Sequence, residues 1–446
     1  SATAHKADEW IPVTPGHDGY LALAMCNYLI ENDLINTEFL LEKSTACFLV
    51  RRDTLKHLRK SDYEEVPVDP TTKKPVDDFY VWDNATGSIA LVGEAQDPAM
   101  EGSFATSDGI EVDTAFSLLK EQLKQYSISK ASELTGVPEE RIVKLAEEFA
   151  GERAVSVNIT YGLDHYVNGY QNTWAIATLL ALTGQCCRDG AGFTGVFTAT
   201  YSPNTLAIWA GTPEFKALNS QIPNGLVAEV FGSQKLEGKD YPMKAMISYC
   251  SSLLSNQPSQ KEWMEKVLPN MEFWVVLDTE LNDSARYADI VLPVASWYEK
   301  EDVRVAYNNP YMTINEKAIE PLYESKPEWE IAGLIGRAMG YEASFPEDWG
   351  ADDWMNLFTD AVSKQRGYTL ERLKKEKVIQ FTTTEVGEPH IRGKSAPLPT
   401  ESKRVQLYCE NPKPRLNWGQ DLSEREPKEH IVYYQPPEEA GADNPL

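Results

Sequence analysis

The chain has 446 residues, which exceeds a single ordinary hydrophobic core and predicts at least two domains. Hydrophobic residues make up 42% of it, which excludes a disordered protein. The formal net charge is -26, and such a surface repels nucleic acid and anionic lipid. We therefore expect no nucleic-acid partner, and any anionic ligand has to be held by local donors.

The longest apolar segment, WAIATLLALTG, is too short to cross a bilayer, so no membrane span is expected. No signal peptide is recognisable, and because the chain does not begin with methionine we expect an internal part of a longer protein, which leaves the compartment open. The cysteines match no zinc or iron–sulfur spacing. We expect free thiols and no metal ligand at positions 26, 47, 186, 187, 250 and 409.

The sequence of residues 1–151 predicts part of one α/β domain that resembles a dinucleotide-binding domain. Segment 7–35 reads as a short strand, a Pro-Gly turn and a helix, with Asp18 at or near the helix N-terminus, where a carboxylate is favoured. The runs ACFLVRR and FYVWDNATGSIALV predict a β-hairpin excursion with Asn84 and Gly87 at its tip. Two or three helices follow, the clearest being PEERIVKLAEEFAG.

Residues 152–340 predict a second α/β, cofactor-binding domain, because strands and buried helices alternate there. We expect the strands AVSVNITYG, MKAMISYC, FWVVLD and DIVLPV in one mostly parallel sheet. Residues 341–409 read as a mixed connecting region, and 410–446 as an extended linker toward a missing C-terminal domain. The predicted fold class is α/β, with two doubly wound, Rossmann-like domains and mostly parallel sheets.

Polar residues follow each of the four strands, and ligands bind beyond the carboxyl ends of strands in open α/β sheets. Their hydroxyl, amide and carboxylate groups suit a large polar ligand, with a carboxylate accepting from a base or ribose hydroxyl. The residue pattern thus predicts a nucleotide-like cofactor cradle, and a solvated turn at 278–289 is the other interpretation. The rim comprises Tyr161, Gly162, His165, Asn168, Gly169, Cys250, Ser251, Ser252, Asp278, Glu280, Asn282, Pro293, Ser296 and Glu299.

Two other signals carry less weight. The stretch GAGFTG at 190–195 matches G-x-G-x-x-G, with Glu214 beyond it, but it follows a helix and runs into a loop-like segment. A dinucleotide fingerprint follows a strand and opens a helix, so an NAD-dependent dehydrogenase is only an alternative. His165 reads either as a structural histidine or as a ligand contact. The carboxylates Glu299 and Glu301 are most simply solvated.

Several blocks, in order, resemble molybdopterin oxidoreductases of the DMSO reductase family. The stretch DTELNDSARYADIVLP is similar to the family block D-x-F-x-T-x-T-A-x-Y-A-D-I-V-L-P. The others are TAHKADEWIPVTPGHDGYLALAM, ELTGVPEERIVKLAEEFA, YGLDHYVNGYQNTWAIATLLALTGQCCRDGAGF, EPLYESKPEWEIAGLIGRAMG and TESKRVQLY. The likeness covers most of residues 1–410.

The resemblance implies a molybdenum or tungsten ion held by two pterin guanine dinucleotides, usually with an iron–sulfur cluster bound by sequence outside this chain. It implies that Asp18 contacts one guanine. The other dinucleotide is expected at Ser251, Ser252, Asp278, Asn282 and Asp289, and the pterin and phosphates at Gly162, His165, Gly169, Thr183 and Gly184.

This chain departs from the family pattern at several positions. His17, Asn282 and Ser284 stand where the family has threonine, and Ser252 stands where it often has asparagine. The run Gln185-Cys186-Cys187 replaces N-I-G, and Lys403 replaces a glycine.

The sequence therefore predicts the central part of a molybdopterin-dependent oxidoreductase of anaerobic respiration, inactive by itself, whose parent pairs with an iron–sulfur electron-transfer subunit. The alternatives are a metal-free relative serving as an electron-transfer complex subunit, and an acidic structural scaffold. The substrate is not readable from these residues.

Overall fold

The computed structural model divides the chain into two compact units, Ser1–Val196 with Thr384–Leu446, and Phe197–Thr383. The first unit thus includes residues 152–196, which the sequence analysis assigned to the second domain. The structure describes residues 4–70, 73, 75–159, 162–163, 165–166, 169–194, 222, 224–236, 238–305, 311–356, 367–380, 393–394, 397–412 and 429–437.

The core of the first unit is helical. Side-chain caps explain where several helices begin, since Asn36, Thr114 and Ser127 each accept a hydrogen bond from the backbone N–H three residues later. The helices are α1 (Asp18–Glu31), α2 (Thr37–Lys43), α3 (Ala115–Leu123), α4 (Ile128–Thr135), α5 (Glu139–Ala150) and α6 (Gly169–Leu182). Helices α1 and α6 pack together in one apolar cluster, which confirms the expectation of a buried helix in this part of the chain.

The strands of the first unit are short. They are β1 (Leu49–Arg51), β2 (Tyr80–Asp83), β3 (Ser88–Leu91), β4 (Ser103–Ala105), β5 (Glu111–Thr114), β6 (Ser156–Asn158) and β7 (Gly192–Thr194). Strands β2 and β3 form the expected hairpin, and β1, β5 and β4 form an antiparallel sheet. Strand β6 pairs in parallel with β7, because α6 returns the chain to its side.

The second unit is built around a three-stranded parallel sheet. The strands of this unit are β8 (Lys235–Leu236), β9 (Lys239–Asp240), β10 (Ala245–Tyr249), β11 (Phe273–Asp278), β12 (Ile290–Pro293), β13 (Asp302–Val305), β14 (Tyr311–Asn315) and β15 (Val378–Gln380). The parallel sheet has the order β10-β11-β12, whereas β13-β14-β15 and β8-β9 are antiparallel.

The second unit contains the helices α7 (Val227–Ser233), α8 (Leu253–Asn256), α9 (Gln260–Glu262), α10 (Glu328–Ala338), α11 (Ala351–Asn356) and α12 (Leu370–Glu376). The chain remains helical after α9, through a π-turn at Trp263–Val267. Apolar side chains cover both faces of the parallel sheet, with Phe231 and Trp263 on one face and Ile331 and Ile335 of α10 on the other. Burial on both faces is what a parallel sheet requires.

Two fold expectations need correction. Only three of the four strands expected in one sheet share it, since β6 pairs with β7 in the first unit. Mostly parallel sheets were expected, but in the described part of the chain only β10-β11-β12 and β6-β7 are parallel. Short strands joined by tight turns pair antiparallel, whereas parallel pairing needs a long crossover. The fold is mixed α/β with several small sheets.

Part of the expected 410–446 linker is packed and not extended. Val432 is fully buried in the helical core, and the backbone N–H of Tyr433 donates to Oε1 of Gln171 (3.0 Å). The preceding segment 397–412 is also anchored, since the N–H of Leu407 donates to Oγ1 of Thr45 (3.0 Å). Among the described residues, no helix is long and apolar enough to cross a membrane.

Candidate functional site

Two strands of the parallel sheet end side by side, which brings two predicted polar segments to one edge. Tyr249 pairs with Leu277, so the residues that follow β10 and β11 leave the sheet together. Cys250 turns the chain with a left-handed φ of 52°, and Ser252 precedes helix α8. The hydroxyl groups of Ser252 and Ser255 lie 2.6 Å apart.

The crossing from β11 to β12 fixes a carboxylate at this edge. Oδ2 of Asp278 accepts from Nδ2 of Asn282 (2.7 Å), and Oδ1 accepts from the N–H of Glu280 (3.2 Å). Oδ1 of Asn282 accepts in turn from the N–H of Ala285 (2.9 Å), which fixes the orientation of the amide. The Thr279 hydroxyl also donates to Oδ1 (3.5 Å), so the carboxylate, which offers about four lone-pair positions, keeps its remaining acceptor capacity on Oδ2.

A buried serine joins the crossing to the β10 side of the edge. Oγ of Ser284 is fully buried and accepts from the N–H of Leu254 in α8 (3.0 Å). Ser251 and Ser252 immediately precede this helix, so they lie at the same edge as Asp278 and Asn282. The sequence analysis did not single out Ser284 as a linking residue, although its polarity within the crossing was the available signal.

Asp289 lies at the opposite edge of the sheet. Its N–H donates to the carbonyl of Trp274 (2.9 Å), and its Oδ2 accepts from the N–H of Trp274 (2.7 Å). Trp274 precedes Asp278 by four residues of β11, about 13 Å along the strand. Asp289 therefore does not reach the Asp278 edge, and its carboxylate holds the start of β12 against β11.

Asp18 occupies the first position of α1, close to the docked C-terminal segment. Nδ1 of its neighbour His17 lies 2.6 Å from the hydroxyl oxygen of Tyr434. Gly16 has a φ of 86°, and an added Cβ would lie 2.7 Å from Cβ of Pro437, so the close approach requires glycine. Burial raises the pKa of the Asp18 carboxyl, which its own backbone N–H and His17 partly oppose.

The remaining predicted residues of the first unit lie at the two ends of α6. The N–H of Gly19 donates to Oδ1 of Asn172 (3.1 Å), so the N-terminal ends of α1 and α6 are adjacent. Gly169 begins α6 at that end and is buried, whereas Gly162 and His165, which precede it, are exposed. Of the other rim residues, Tyr161 and Asn168 lie outside the described residues.

Thr183 and Gly184 lie at the far end of α6, about 20 Å from Gly169 by the rise of a helix. The Thr183 hydroxyl donates to the carbonyl of Leu179 (2.9 Å) and so completes its own helix. Gly184 has a φ of 69°, and an added Cβ would lie 2.5 Å from Nδ2 of Asn36. These two residues and Asp18 cannot contact the same small group.

A partly buried charged cluster near the Asp278 edge was missed by the sequence analysis. Nζ of Lys300 is paired with Glu328 (2.5 Å), and Asp302, close to both, has its pKa raised by burial. Glu299 was expected to be solvated, which is wrong: it is buried, and its carboxylate accepts from the N–H groups of Ser296 (2.6 Å) and Leu322 (3.0 Å). These bonds hold its pKa below the usual range, and its role is structural.

The comparisons with known proteins agree on one family. The model of a family described as molybdopterin oxidoreductase matches residues 1–337. Perchlorate reductase subunit alpha of Dechloromonas aromatica is 30% identical over 397 residues, covering 74% of this chain and 42% of that protein. Dimethyl sulfoxide reductase DmsA of Escherichia coli is 24% identical, covering 91% of this chain and 46% of that protein.

A solved structure shares the fold. Acetylene hydratase from Pelobacter acetylenicus aligns with a TM-score of 0.60 at 19% identity, over 98% of this chain and 52% of that one. The chain thus spans less than half the length of the two curated relatives above. On the family match and the curated relatives, this chain belongs to the molybdopterin oxidoreductases and is similar to catalytic subunits of the DMSO reductase family.

Proposed function

We propose that this chain is the central, cofactor-holding part of a molybdenum enzyme with two molybdopterin guanine dinucleotides. When bound, the cofactor supplies two-electron redox chemistry, often with oxygen-atom transfer. The residues of this chain bind and orient it. The family match and the fixed Asp278 carboxylate support this proposal.

The donor set at the Asp278 edge fits a guanine base. Guanine presents two adjacent N–H donors on one edge, and a carboxylate with both oxygens fixed can accept both. Asn282 and the Glu280 N–H hold the Asp278 carboxylate in place before the ligand arrives, which lowers the entropy cost of binding. Ser251 and Ser252 then supply hydroxyl groups for the sugar or phosphates.

The second guanosine site is assigned to Asp18. The raised pKa of this carboxyl shows that burial disfavours its charge, and a guanine donor pair would compensate for that cost. Gly169 begins α6, Gly162 and His165 precede it in the sequence, and all three are proposed to face the ligand there. Thr183 and Gly184, at the other end, are proposed for a different part of the cofactor.

The parent protein is proposed to work with partner subunits. The relatives include proteins named as alpha subunits, and the resemblance implies a partner that carries iron–sulfur clusters. A metal-free relative acting in electron transfer is the alternative. The fixed carboxylate at the crossing favours a bound nucleotide, and molybdenum analysis of the full-length protein separates the two.

Calorimetry with GDP and ADP on the purified chain tests the guanosine sites. We expect GDP to bind more tightly, because adenine lacks the adjacent donor pair and a good bidentate pair discriminates by about 1–3 kcal/mol. Asp278→Ala and Asp18→Ala should each remove one site and leave the other. Asp283→Ala, an exposed aspartate of the same crossing, is the matched control. Equal affinity for GDP and ADP would show that the carboxylates are misassigned.

A further inference from the structure

A groove in the first unit gathers positive charge in a strongly acidic chain. This groove consists of two adjacent cavities, of about 550 and about 400 Å³, which share three lining residues. We call it the basic groove; its charged residues are Lys43, Arg188, Lys394, Lys403 and Arg404, with two carboxylates, Glu42 and Asp189. Five cations thus face two carboxylates, although the whole chain has a formal charge of -26.

Most of these cations have no carboxylate partner among the described residues. Lys394 is paired with Asp189 (2.6 Å). In the part of the chain that the structure describes, no carboxylate oxygen lies within 4.0 Å of the charged groups of the other four, Lys43, Arg188, Lys403 and Arg404. Arg404 donates to the carbonyl oxygens of Leu41 (2.6 Å) and Ser44 (3.3 Å), which carry no net charge. Uncompensated cations in a concave site create a local potential that attracts anions.

The groove also contains two left-handed residues that are not glycine. Cys187 has a φ of 60° and Lys403 a φ of 59°, a conformation that costs an L-residue free energy. Strained backbone of this kind concentrates at ligand sites. Burial raises the pKa of the Cys186 thiol to about 12 and also raises that of Cys187, so both thiols stay neutral and do not oppose an anion.

We propose that the basic groove is a binding site for a diphosphate group. Lys43 and Lys394 line both cavities, and each cavity has a further cation, so two linked phosphates can contact cations of both. The diphosphate can be inorganic or part of a nucleotide. Only the nucleotide source rests on the proposed function: Gly184, which that function assigns to the cofactor, lines the groove, whereas Asp18 and Asp278 do not.

Calorimetric titration with inorganic pyrophosphate tests the groove. The variant combines Lys43→Gln with Lys403→Gly, at two exposed lysines without a carboxylate partner in the described structure. We expect binding to weaken at least about tenfold and the wild-type affinity to fall with added salt. The control combines Lys124→Gln with Lys130→Gln, which removes the same charge from the same unit at helix-surface ion pairs. It should bind like the wild type.

Thermal melting separates a binding role from a folding role. Glycine relieves the left-handed strain at position 403, so Lys403→Gly alone should bind pyrophosphate more weakly without lowering the Tm. Unchanged pyrophosphate affinity in the double variant, or an equal loss in the control, overturns the proposal. So does a failure of the wild type to bind pyrophosphate.

The nucleotide source has its own comparison. If GDP loses affinity in the double variant as pyrophosphate does, the groove takes the diphosphate of a nucleotide. If only pyrophosphate loses affinity, the groove takes the free anion. The Asp18→Ala and Asp278→Ala variants should bind pyrophosphate normally, so the groove and the guanosine sites can fail independently.

Discussion

His57 shows how a single buried residue can make stability depend on pH. It is 5% exposed and surrounded by the rings of Phe48, Phe79 and Tyr408 at 5.5–5.7 Å. Its Nδ1 has no hydrogen-bond partner among the described residues. Burial lowers its pKa to about 4, although the nearby Glu410 carboxylate acts in the opposite direction. The folded protein therefore holds His57 neutral.

We predict that this residue contributes an acid sensitivity. An unfolded histidine titrates near pH 6.5. Between pH 6.5 and pH 4 the unfolded chain therefore binds a proton that the folded chain does not, and folding stability decreases as the pH is lowered. The loss between pH 7 and pH 5 should be about 2 kcal/mol. Urea unfolding of the wild type and His57→Gln at both pH values measures it. Identical pH dependence in the two proteins would contradict the prediction.

Ser284 carries an interaction between two elements. It is the acceptor for the N–H of Leu254, so it links the β11–β12 crossing to helix α8. Ser284→Ala leaves that buried donor unsatisfied, which should cost about 1–3 kcal/mol of unfolding free energy. GDP affinity should also fall, because the two segments of the proposed guanosine site lose their connection.

Ser284→Thr is the matched variant, since it keeps the hydroxyl acceptor. Denaturant unfolding and GDP titration of both variants test the prediction. The prediction is contradicted if the threonine variant loses GDP affinity or if the alanine variant keeps it, because the Ser284 hydroxyl group would then not be what supports GDP binding.

Local elements were predictable because their signals are contiguous in sequence. Helix α5 begins after Pro138 and ends before Gly151, as the pattern predicted. The β2–β3 hairpin also follows from its turn residues. Strand β6 was placed in the wrong sheet because its partner β7 is chosen by the path of the chain through α6, and periodicity carries no information on that path.

At the scale of the whole chain, we predict no redox turnover from the purified protein by itself. The six cysteines form no disulfide bond, and the described residues contain no group of three or more His, Cys, Asp or Glu side chains placed to hold a metal ion. Metal analysis and a viologen-linked reductase assay test this. Stoichiometric molybdenum with turnover would show that the chain supplies the reaction centre unaided.

The order of the sequence blocks identified the family, because each block is a local pattern and their succession is specific. The sequence also determined the carboxylate–amide pair of Asp278 and Asn282, whose hydrogen bonds form within one short crossing. Only the tertiary structure decided that Asp289 lies at the other edge, since this depends on strand register. Only the tertiary structure brings together the basic groove, whose cations come from three separate stretches of the sequence, at 43, 188 and 394–404. Local hydrogen bonds are encoded in neighbouring residues, whereas register and docking depend on the packing of the whole core.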